Sequence, residues 1–252
     1  MLAPEHRSFL ADQPWYGPIT CIEVGASSVE TVLFESVTVV CQQPGVVAPQ
    51  GQPLLIAVPG LVADNRVVSA ANLGWYDVDP AHQLGLLEPA ALVCNDAEAA
   101  ALGESALRPG QPNLVFIGLG TGVGGAVVID GVARANLFAH GGAFGDRDCG
   151  CGRIGCLETV AGGWALPTRL SEKHLLDLAA ALATAVDNEP AATPSLVVLA
   201  GGLTAAYPAL IALLGAALPA RHVVPTAAPA TKSAAAWGLL FLHNAQQQRR
   251  SA

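Results

Sequence analysis

The feature that most constrains this chain is the segment Cys149–Glu158, which holds three of the six cysteines. Cys149, Cys151 and Cys156 follow a Cys-x-Cys-x4-Cys spacing, and the intervening glycines let the backbone turn tightly. Three thiolates at this spacing can converge on one metal ion, and zinc in proteins usually takes four ligands in a tetrahedron. The segment therefore predicts a metal site, with free thiols as the less favoured alternative.

The sequence leaves the fourth ligand open. His140 lies nine positions before Cys149, Asp146 lies three before it, and Glu158 follows two residues after Cys156. We expect His140 to be the ligand and keep Asp146 as the alternative, since a single histidine is more often a packing or surface residue. The other cysteines lie in apolar, strand-like segments and are predicted to be core residues: Cys21, Cys41 and Cys94.

A glycine-rich run, Gly118–Gly125, lies upstream of the cysteines, between two segments that predict strands. Backbone N–H groups and a hydroxyl in such a turn can approach phosphate oxygens closely. A plain hairpin is the alternative, although it rarely needs so many glycines. The run has neither the Lys-Ser/Thr of a Walker loop nor the following helix of a Rossmann loop. The residues expected to contact phosphate are Gly120, Thr121, Gly122 and Gly124.

The dipeptide Asn95-Asp96 lies between a short apolar strand, Ala91–Cys94, and an alanine-rich segment that predicts a helix, Ala97–Leu107. A carboxylate at a helix N-terminus stays ionised, and a positioned aspartate can accept a hydroxyl proton. Helix capping is an equally good explanation of this dipeptide. The local sequence alone therefore leaves both interpretations open.

Composition narrows the functional classes. The chain has 252 residues, 13% of them charged, with a net charge of −8, which argues against a nucleic-acid surface. Its longest apolar runs are too short to span a bilayer, so no membrane partner is expected. Residues 1–13 lack the apolar core of a signal peptide, so we expect a cytoplasmic protein. About eighteen residues precede the first predicted strand, too few for a separate DNA-binding domain.

The chain divides into two halves of similar order. Each half opens with a predicted hairpin, 19–35 or 114–130, and later has a strand that runs into a helix. Further helices are predicted at Thr159–Leu170 and Ser171–Val186. This pattern predicts an α/β fold of two domains with a cleft between them. We expect a small domain of residues 14–96 with the C-terminal helix 233–245, and a larger domain of residues 97–232 with the metal loop.

Together these segments resemble the ROK family (repressors, open reading frames, sugar kinases) over roughly Ile19 to Leu240. The strongest match is Cys149–Glu158, which reproduces the family's Cys-x-Cys-Gly-x2-Gly-Cys-x-Glu signature. Other matches follow in the family's order: Val58-Pro59-Gly60, Asn72–Trp75, Asn95-Asp96, Gly120–Gly125 and Gly201-Gly202. The resemblance implies the actin-like ATPase (ribonuclease H-like) fold, with two α/β domains that close on a hexose and ATP.

The resemblance also implies roles for individual residues. Asp96 matches the catalytic base, and the expected sugar contacts are Asn72, Asn95 and Glu158. The expected nucleotide contacts are Gly25 and Ser27 in the first phosphate motif, the glycine-rich run in the second, and Gly201 and Gly202 in the adenosine motif. Such kinases use Mg²⁺ with ATP, and the cysteines imply a structural Zn²⁺. We also expect a homodimer.

Two departures from the family pattern qualify the expected activity. The first phosphate motif, Asp-x-Gly-Gly-Thr-Lys in the family, here is Glu23–Ser28, with a longer acid and no lysine. The family's Glu-x-Gly-His here is Ala143–Asp146, which lacks the sugar-binding glutamate. The motif matches as a whole predict an ATP-dependent, glucokinase-like hexose kinase. The two departures leave an alternative, a degenerate family member that binds sugar or nucleotide without turnover.

Overall fold

The structure is a computed structural model that describes residues 17–35, 38–108, 110–111, 113–135, 138–141, 144–189, 194–228 and 233–251. It divides into two compact units: unit 1, Met1–Gly110 with Ala227–Ala252, and unit 2, Gln111–Thr226. This division falls after Gly110, whereas we expected a boundary after Asp96. The helix that begins at Asp96 accounts for the difference, because it packs on the C-terminal helix of unit 1.

Runs of strands open both units, and helices follow them later in each unit. The strands are β1 (Ile19–Val24), β2 (Val29–Glu35), β3 (Thr38–Pro44), β4 (Leu54–Val58), β5 (Leu61–Ala63), β6 (Arg66–Ala70), β7 (Trp75–Val78), β8 (Leu92–Asn95), β9 (Leu114–Leu119), β10 (Val123–Ile129), β11 (Val132–Ala135), β12 (Leu196–Ala200) and β13 (His222–Pro225). The helices are α1 (Pro80–Gln83), α2 (Asp96–Ala106), α3 (Glu158–Ala161), α4 (Glu172–Asp187), α5 (Gly202–Ala206), α6 (Ala209–Ala217) and α7 (Ala234–Ser251).

Unit 1 is built on a five-stranded sheet in the order β3-β2-β1-β4-β8. β1, β2 and β3 pair antiparallel, whereas β4 pairs parallel to both β1 and β8. All five residues of β4 are buried, as expected for a central strand covered on both faces. The three short strands β5, β6 and β7 form a separate antiparallel sheet.

Helices α2 and α7 of unit 1 approach each other closely because two glycines face across their contact. A Cβ at Gly103 would lie 2.0 Å from the carbonyl oxygen of Ala234, and a Cβ at Gly238 would lie 1.7 Å from that of Ala99. Neither position can hold a larger side chain without moving backbone. Trp237 of α7 also packs edge-on against Phe34 of β2, with ring centroids 5.1 Å apart.

The fully buried Glu104 of α2 fixes the segment that precedes α7. Its carboxylate accepts hydrogen bonds from the amides of Ala227 (2.9 Å) and Ala228 (3.4 Å), and it forms an ion pair with Arg108. These partners satisfy a charge that would otherwise be costly to bury.

Unit 2 is built on a second five-stranded sheet in the order β11-β10-β9-β12-β13. The hairpin of β9, β10 and β11 is antiparallel, and β12 pairs parallel with β9 and with β13. Apolar residues of β9 and β12 pack with Leu182 of α4 and Leu214 of α6 in one core. The sheet therefore presents the β9–β10 turn and the carboxyl end of β12 at the same edge.

Two expectations from the sequence are wrong. The helix predicted over Thr159–Leu170 is only α3 followed by a 3₁₀ turn, Gly163–Ala165. It ends because Gly162 adopts an extended conformation, with φ −70° and ψ 141°. Cys41, predicted to be a core residue, is exposed because β3 lies at the edge of its sheet, while Cys21 is buried and Cys94 is half-buried.

Among the described residues, the helices are too short or too polar to cross a membrane.

The close helix pair gives a stability prediction. Gly238→Ala places a methyl group 1.7 Å from a carbonyl oxygen, so we expect the free energy of unfolding to fall by about 3 kcal/mol in urea titrations. The matched control is Gly215→Ala in α6, where the nearest atom would be 3.9 Å away. This control should be neutral or stabilise by up to about 1 kcal/mol, since alanine favours helix more than glycine does. Equal effects of the two substitutions would contradict the close packing.

Candidate functional site

The expected catalytic dipeptide lies where β8 ends and α2 begins. Asn95 is the N-cap of α2: its Oδ1 accepts a hydrogen bond from the Glu98 amide (3.0 Å), and its Nδ2 donates to the Gly60 carbonyl oxygen (2.9 Å). Oδ1 of Asp96 accepts from the Ala97 amide at 2.8 Å. Asn95 is therefore the N-cap, whereas Asp96 is the first helical residue and bonds the next amide, so the start of the helix does not exclude a functional role for its carboxylate.

Two neighbouring acids of unit 1 hold their protons more tightly than usual. Burial raises the pKa of Asp96 to about 6, although the Ala97 amide lowers it in part. Burial also raises the pKa of Glu23 to about 6; the Ser233 hydroxyl lowers it, and the nearby charges of Asp96 and Glu30 raise it. Clustered acids with raised pKa values are a common property of catalytic sites.

Glu23 of the expected first phosphate motif is engaged by the C-terminal helix. The Ser233 hydroxyl donates a hydrogen bond to Oε2 of Glu23, and the Ala236 amide donates to Ser233 Oγ at 3.0 Å. Glu23 thereby helps fix the start of α7. Ser233 was not predicted to contact this motif, although a serine directly before an apolar helix is a common capping signal.

The other expected contact residues of unit 1 lie in turns. Gly25 and Ser27 belong to the β1–β2 turn, which closes with a hydrogen bond from the Gly25 amide to the Ser28 carbonyl (2.7 Å). Asn72 is exposed in the 3₁₀ turn Ala71–Leu73. The exposed side chains of Ser27 and Asn72 are therefore accessible to a small ligand.

The glycine-rich run forms the turn between β9 and β10, as the sequence predicts. Leu119 pairs with Val123, and the Gly120 amide donates to the Gly122 carbonyl at 3.0 Å. A Cβ at Gly120 would meet no atom within 4 Å, so one side of the turn is open. Thr121 is also exposed. Such a turn offers the close backbone approach that a phosphate group needs.

Gly201 brings the end of β12 against the start of this turn. Its φ is +98°, and a Cβ there would lie 2.2 Å from the Leu119 carbonyl oxygen. Only glycine fits both requirements. Gly202, the first residue of the short helix α5, has open space around its Cα. The structure therefore brings the expected second phosphate motif and adenosine motif together.

The predicted metal ligands converge in unit 2. The ligand atoms of His140, Cys149, Cys151 and Cys156 all lie within 4.8 Å of one another. The Sγ atoms of Cys151 and Cys156 are 3.6 Å apart, and Sγ of Cys149 is 3.6 Å from Nδ1 of His140. A tetrahedral zinc ion would require about 3.8 Å between sulfurs and about 3.6 Å between sulfur and nitrogen. The donor set therefore fits zinc in both chemistry and spacing.

The alternative ligands lie outside this donor set. Asp146 is exposed and does not belong to the group of converging ligand atoms found among the described residues. Glu158, the first residue of α3, is buried; its Oε1 lies 3.9 Å from Sγ of Cys149, and its Oε2 accepts from the Val123 amide at 3.1 Å. His140 is thus the fourth donor that the geometry supports.

Two residues near the metal donors were not predicted to belong to the site. Arg147 donates from Nη1 to the Thr159 carbonyl at 3.0 Å, and its guanidinium lies 5.4 Å from the centroid of the Trp164 ring. The Trp164 side chain is 46% exposed. No local signal in the sequence links these residues, because their contact depends on the loop conformation.

Comparison with known proteins identifies the family. The model of the ROK family matches residues 20–217, which is well over half of the chain. The chain belongs to the ROK family. The resemblance inferred from the cysteine segment and the glycine motifs is thereby confirmed.

Curated relatives of this ROK protein are sugar kinases. A kanosamine kinase of Amycolatopsis mediterranei is 39% identical over 127 residues, which cover 46% of this chain and 42% of the relative. A glucokinase of Halalkalibacterium halodurans is 34% identical over 123 residues, covering 42% of this chain and 36% of the relative. The chain thus spans less than half the length of these curated relatives.

Solved structures confirm the fold of this ROK protein. A ROK glucokinase from Streptomyces griseus, in complex with glucose and AMPPNP, superposes with a TM-score of 0.67 at 20% identity, over 90% of this chain and 99% of that one. An inorganic polyphosphate/ATP-glucomannokinase from Arthrobacter sp. gives 0.65 at 20% identity, over 92% and 100%. The expected actin-like α/β fold is confirmed.

The donor set gives a metal-binding prediction. Protein purified without chelator should contain about one zinc per chain, and Cys151→Ser should lower the zinc content severalfold in elemental analysis. Cys41→Ser makes the same chemical change at an exposed cysteine of unit 1, so it should leave the zinc content unchanged. Absence of zinc from the wild-type protein would contradict the ligand assignment.

Proposed function

We propose that this ROK protein is an ATP-dependent kinase that phosphorylates a hydroxyl of a hexose, as a glucokinase does. The observation that carries this proposal is the half-buried Asp96 at the start of α2, whose carboxylate has a raised pKa while Asn95 serves as the N-cap. Its relatives' kinase activities and the nucleotide-complexed neighbour support the same reaction class.

Asp96 would act as the general base in this reaction. Its raised pKa of about 6 leaves it mostly ionised at neutral pH, yet basic enough to accept a proton from a sugar hydroxyl as the phosphoryl group arrives. Positioning of the hydroxyl and stabilisation of charge supply most of the rate in phosphoryl transfer. We assign the sugar contacts to Asn72, Asn95 and Glu158.

The phosphoryl donor would bind to unit 2, and we assign Gly25 and Ser27 of unit 1 as further phosphate contacts. The β9–β10 turn offers backbone amides and the Thr121 hydroxyl to phosphate oxygens, and Gly201-Gly202 beside it gives the open backbone that we assign to adenosine. The substrate would be the magnesium complex of ATP, in which the cation offsets phosphate charge.

Zinc on His140, Cys149, Cys151 and Cys156 would be structural, since four protein donors leave no open position. The homodimer and the cytoplasmic location stay predictions.

Asp96→Asn tests the assignment of the base. It removes the proton acceptor while Asn95 keeps the helix cap, so we expect turnover of the best hexose to fall roughly 10²–10⁴-fold. Coupled ADP release over a panel of hexoses measures this. Asp77→Asn is the matched control, because Asp77 is an exposed acid of unit 1 whose φ of +48° asparagine also tolerates. Equal turnover by wild type and Asp96→Asn would contradict the assignment.

The pKa of Asp96 predicts the pH dependence. A base with a pKa of about 6 is protonated below that pH, so kcat/KM should fall on the acid side and level off above about pH 7. Steady-state kinetics from pH 5 to pH 9 on the most active hexose check this. A profile that stays nearly flat down to pH 5, as expected for a base with the ordinary aspartate pKa of about 3.9, would contradict the raised pKa of Asp96.

Binding without turnover is the second candidate function. The observation that favours it is the Glu23 carboxylate, which is hydrogen-bonded to Ser233 at the start of α7 instead of being open to a ligand. Calorimetry with glucose and with ADP distinguishes the two functions when it is combined with the hexose panel. Measurable binding with no ADP release from any hexose would favour this second function.

A further inference from the structure

One segment of unit 2, Glu158–Trp164, holds the β9–β10 turn at three backbone points. Oε2 of Glu158 accepts from the Val123 amide at 3.1 Å, where the turn ends. The Gly163 amide donates to the Gly120 carbonyl at 3.0 Å, and the Trp164 amide donates to the Thr121 carbonyl at 3.0 Å. A Cβ at Gly163 would lie 2.6 Å from the Gly120 oxygen, so this approach requires glycine.

The same segment is tied to the metal donors. Glu158 follows Cys156 by two residues, and the Thr159 hydroxyl donates to the Cys156 carbonyl at 2.7 Å. Arg147, which lies between His140 and Cys149 in sequence, binds the Thr159 carbonyl and stacks over Trp164. A displacement of Cys156 would therefore displace the residues that hold the turn.

The loop that carries the donors has no helix or strand among its described residues between 141 and 155. One isolated β-bridge, Asp148 with Ile154, and a few backbone hydrogen bonds cross it, such as that from the Phe144 amide to the Gly155 carbonyl (2.9 Å). Cys151 and the Ile154 side chain are exposed. A metal ion bound by His140 and the three cysteines would add a stronger cross-link between the ends of this loop.

We propose that Glu158 is a positioning residue that makes the order of the β9–β10 turn depend on metal occupancy. With the metal bound, Cys156 and the start of α3 are fixed, and the Glu158 carboxylate holds the Val123 amide. The metal then serves the phosphate-binding turn directly.

Amide hydrogen exchange tests this without any substrate. In peptides that cover residues 118–129, exchange should be about tenfold faster or more in Glu158→Ala and in metal-stripped wild type, because a hydrogen bond to a charged group is lost. Glu158→Gln keeps an acceptor for the Val123 amide and should restore most of the protection. Peptides that cover α4 should exchange at unchanged rates, which would show that unit 2 stays folded. Elemental analysis should find that both variants keep their metal, since Glu158 is not a ligand.

The exchange experiment does not depend on the proposed function. Only the expected effect of the metal on nucleotide binding rests on that function. Exchange of residues 118–129 that changes less than about twofold in both Glu158→Ala and metal-stripped protein would overturn the inference about Glu158. If Glu158→Ala fails to fold, the metal-stripped wild type decides the question alone. In calorimetry with ADP, metal removal should weaken binding about tenfold. Absence of ADP binding in metal-loaded wild type would count against the kinase and leave the exchange result intact.

Discussion

The convergence of three sulfurs and one imidazole nitrogen is the interaction on which the site of unit 2 depends. The loop that supplies Cys149 and Cys151 has few buried side chains of its own, so the shared donor atoms add to the few backbone hydrogen bonds that hold its conformation. The last donor, Cys156, is followed closely by α3, whose first residue is Glu158. A structural metal bound there would support the β9–β10 turn without touching it, because it would fix the residues that hold this turn.

In unit 1, the important physical effect is that burial raises the pKa values of two acids. Asp96 and Glu23 both lose solvent and both have a pKa of about 6, but their partners differ. Asp96 accepts from a backbone amide of its own helix, whereas Glu23 accepts from the hydroxyl that caps α7. Asp96 is thereby left available as a base for a reaction. Glu23, an acid of the expected phosphate motif, instead helps to fix the start of α7. This contrast is why both turnover and binding alone are chemically reasonable for this chain.

The sequence predicted most of what depends on local pattern. Short continuous apolar runs gave the central strands β4 and β12, and the Asn95-Asp96 boundary gave the start of α2. The helix predicted over Thr159–Leu170 ends at Ala161 because Gly162 adopts an extended conformation, and Gly163 must fit against Gly120. The signature cysteines were clear, but the sequence could not choose between His140 and Asp146, since ligand choice depends on the loop conformation.

Contacts between segments that are distant in sequence could not be predicted from local sequence patterns. Ser233 and Glu23 are 210 residues apart, and Val123 and Glu158 are 35 apart. Such pairs are set by sheet order and helix packing, which only the folded chain defines.

Phosphorus-31 NMR of the reaction mixture shows whether phosphate is transferred to a sugar. With wild-type protein, Mg²⁺-ATP and the hexose panel, we expect a growing sugar phosphomonoester signal as the γ-phosphate signal of ATP declines. Loss of the γ-phosphate signal with inorganic phosphate as the sole product, or no change with any hexose, would contradict it.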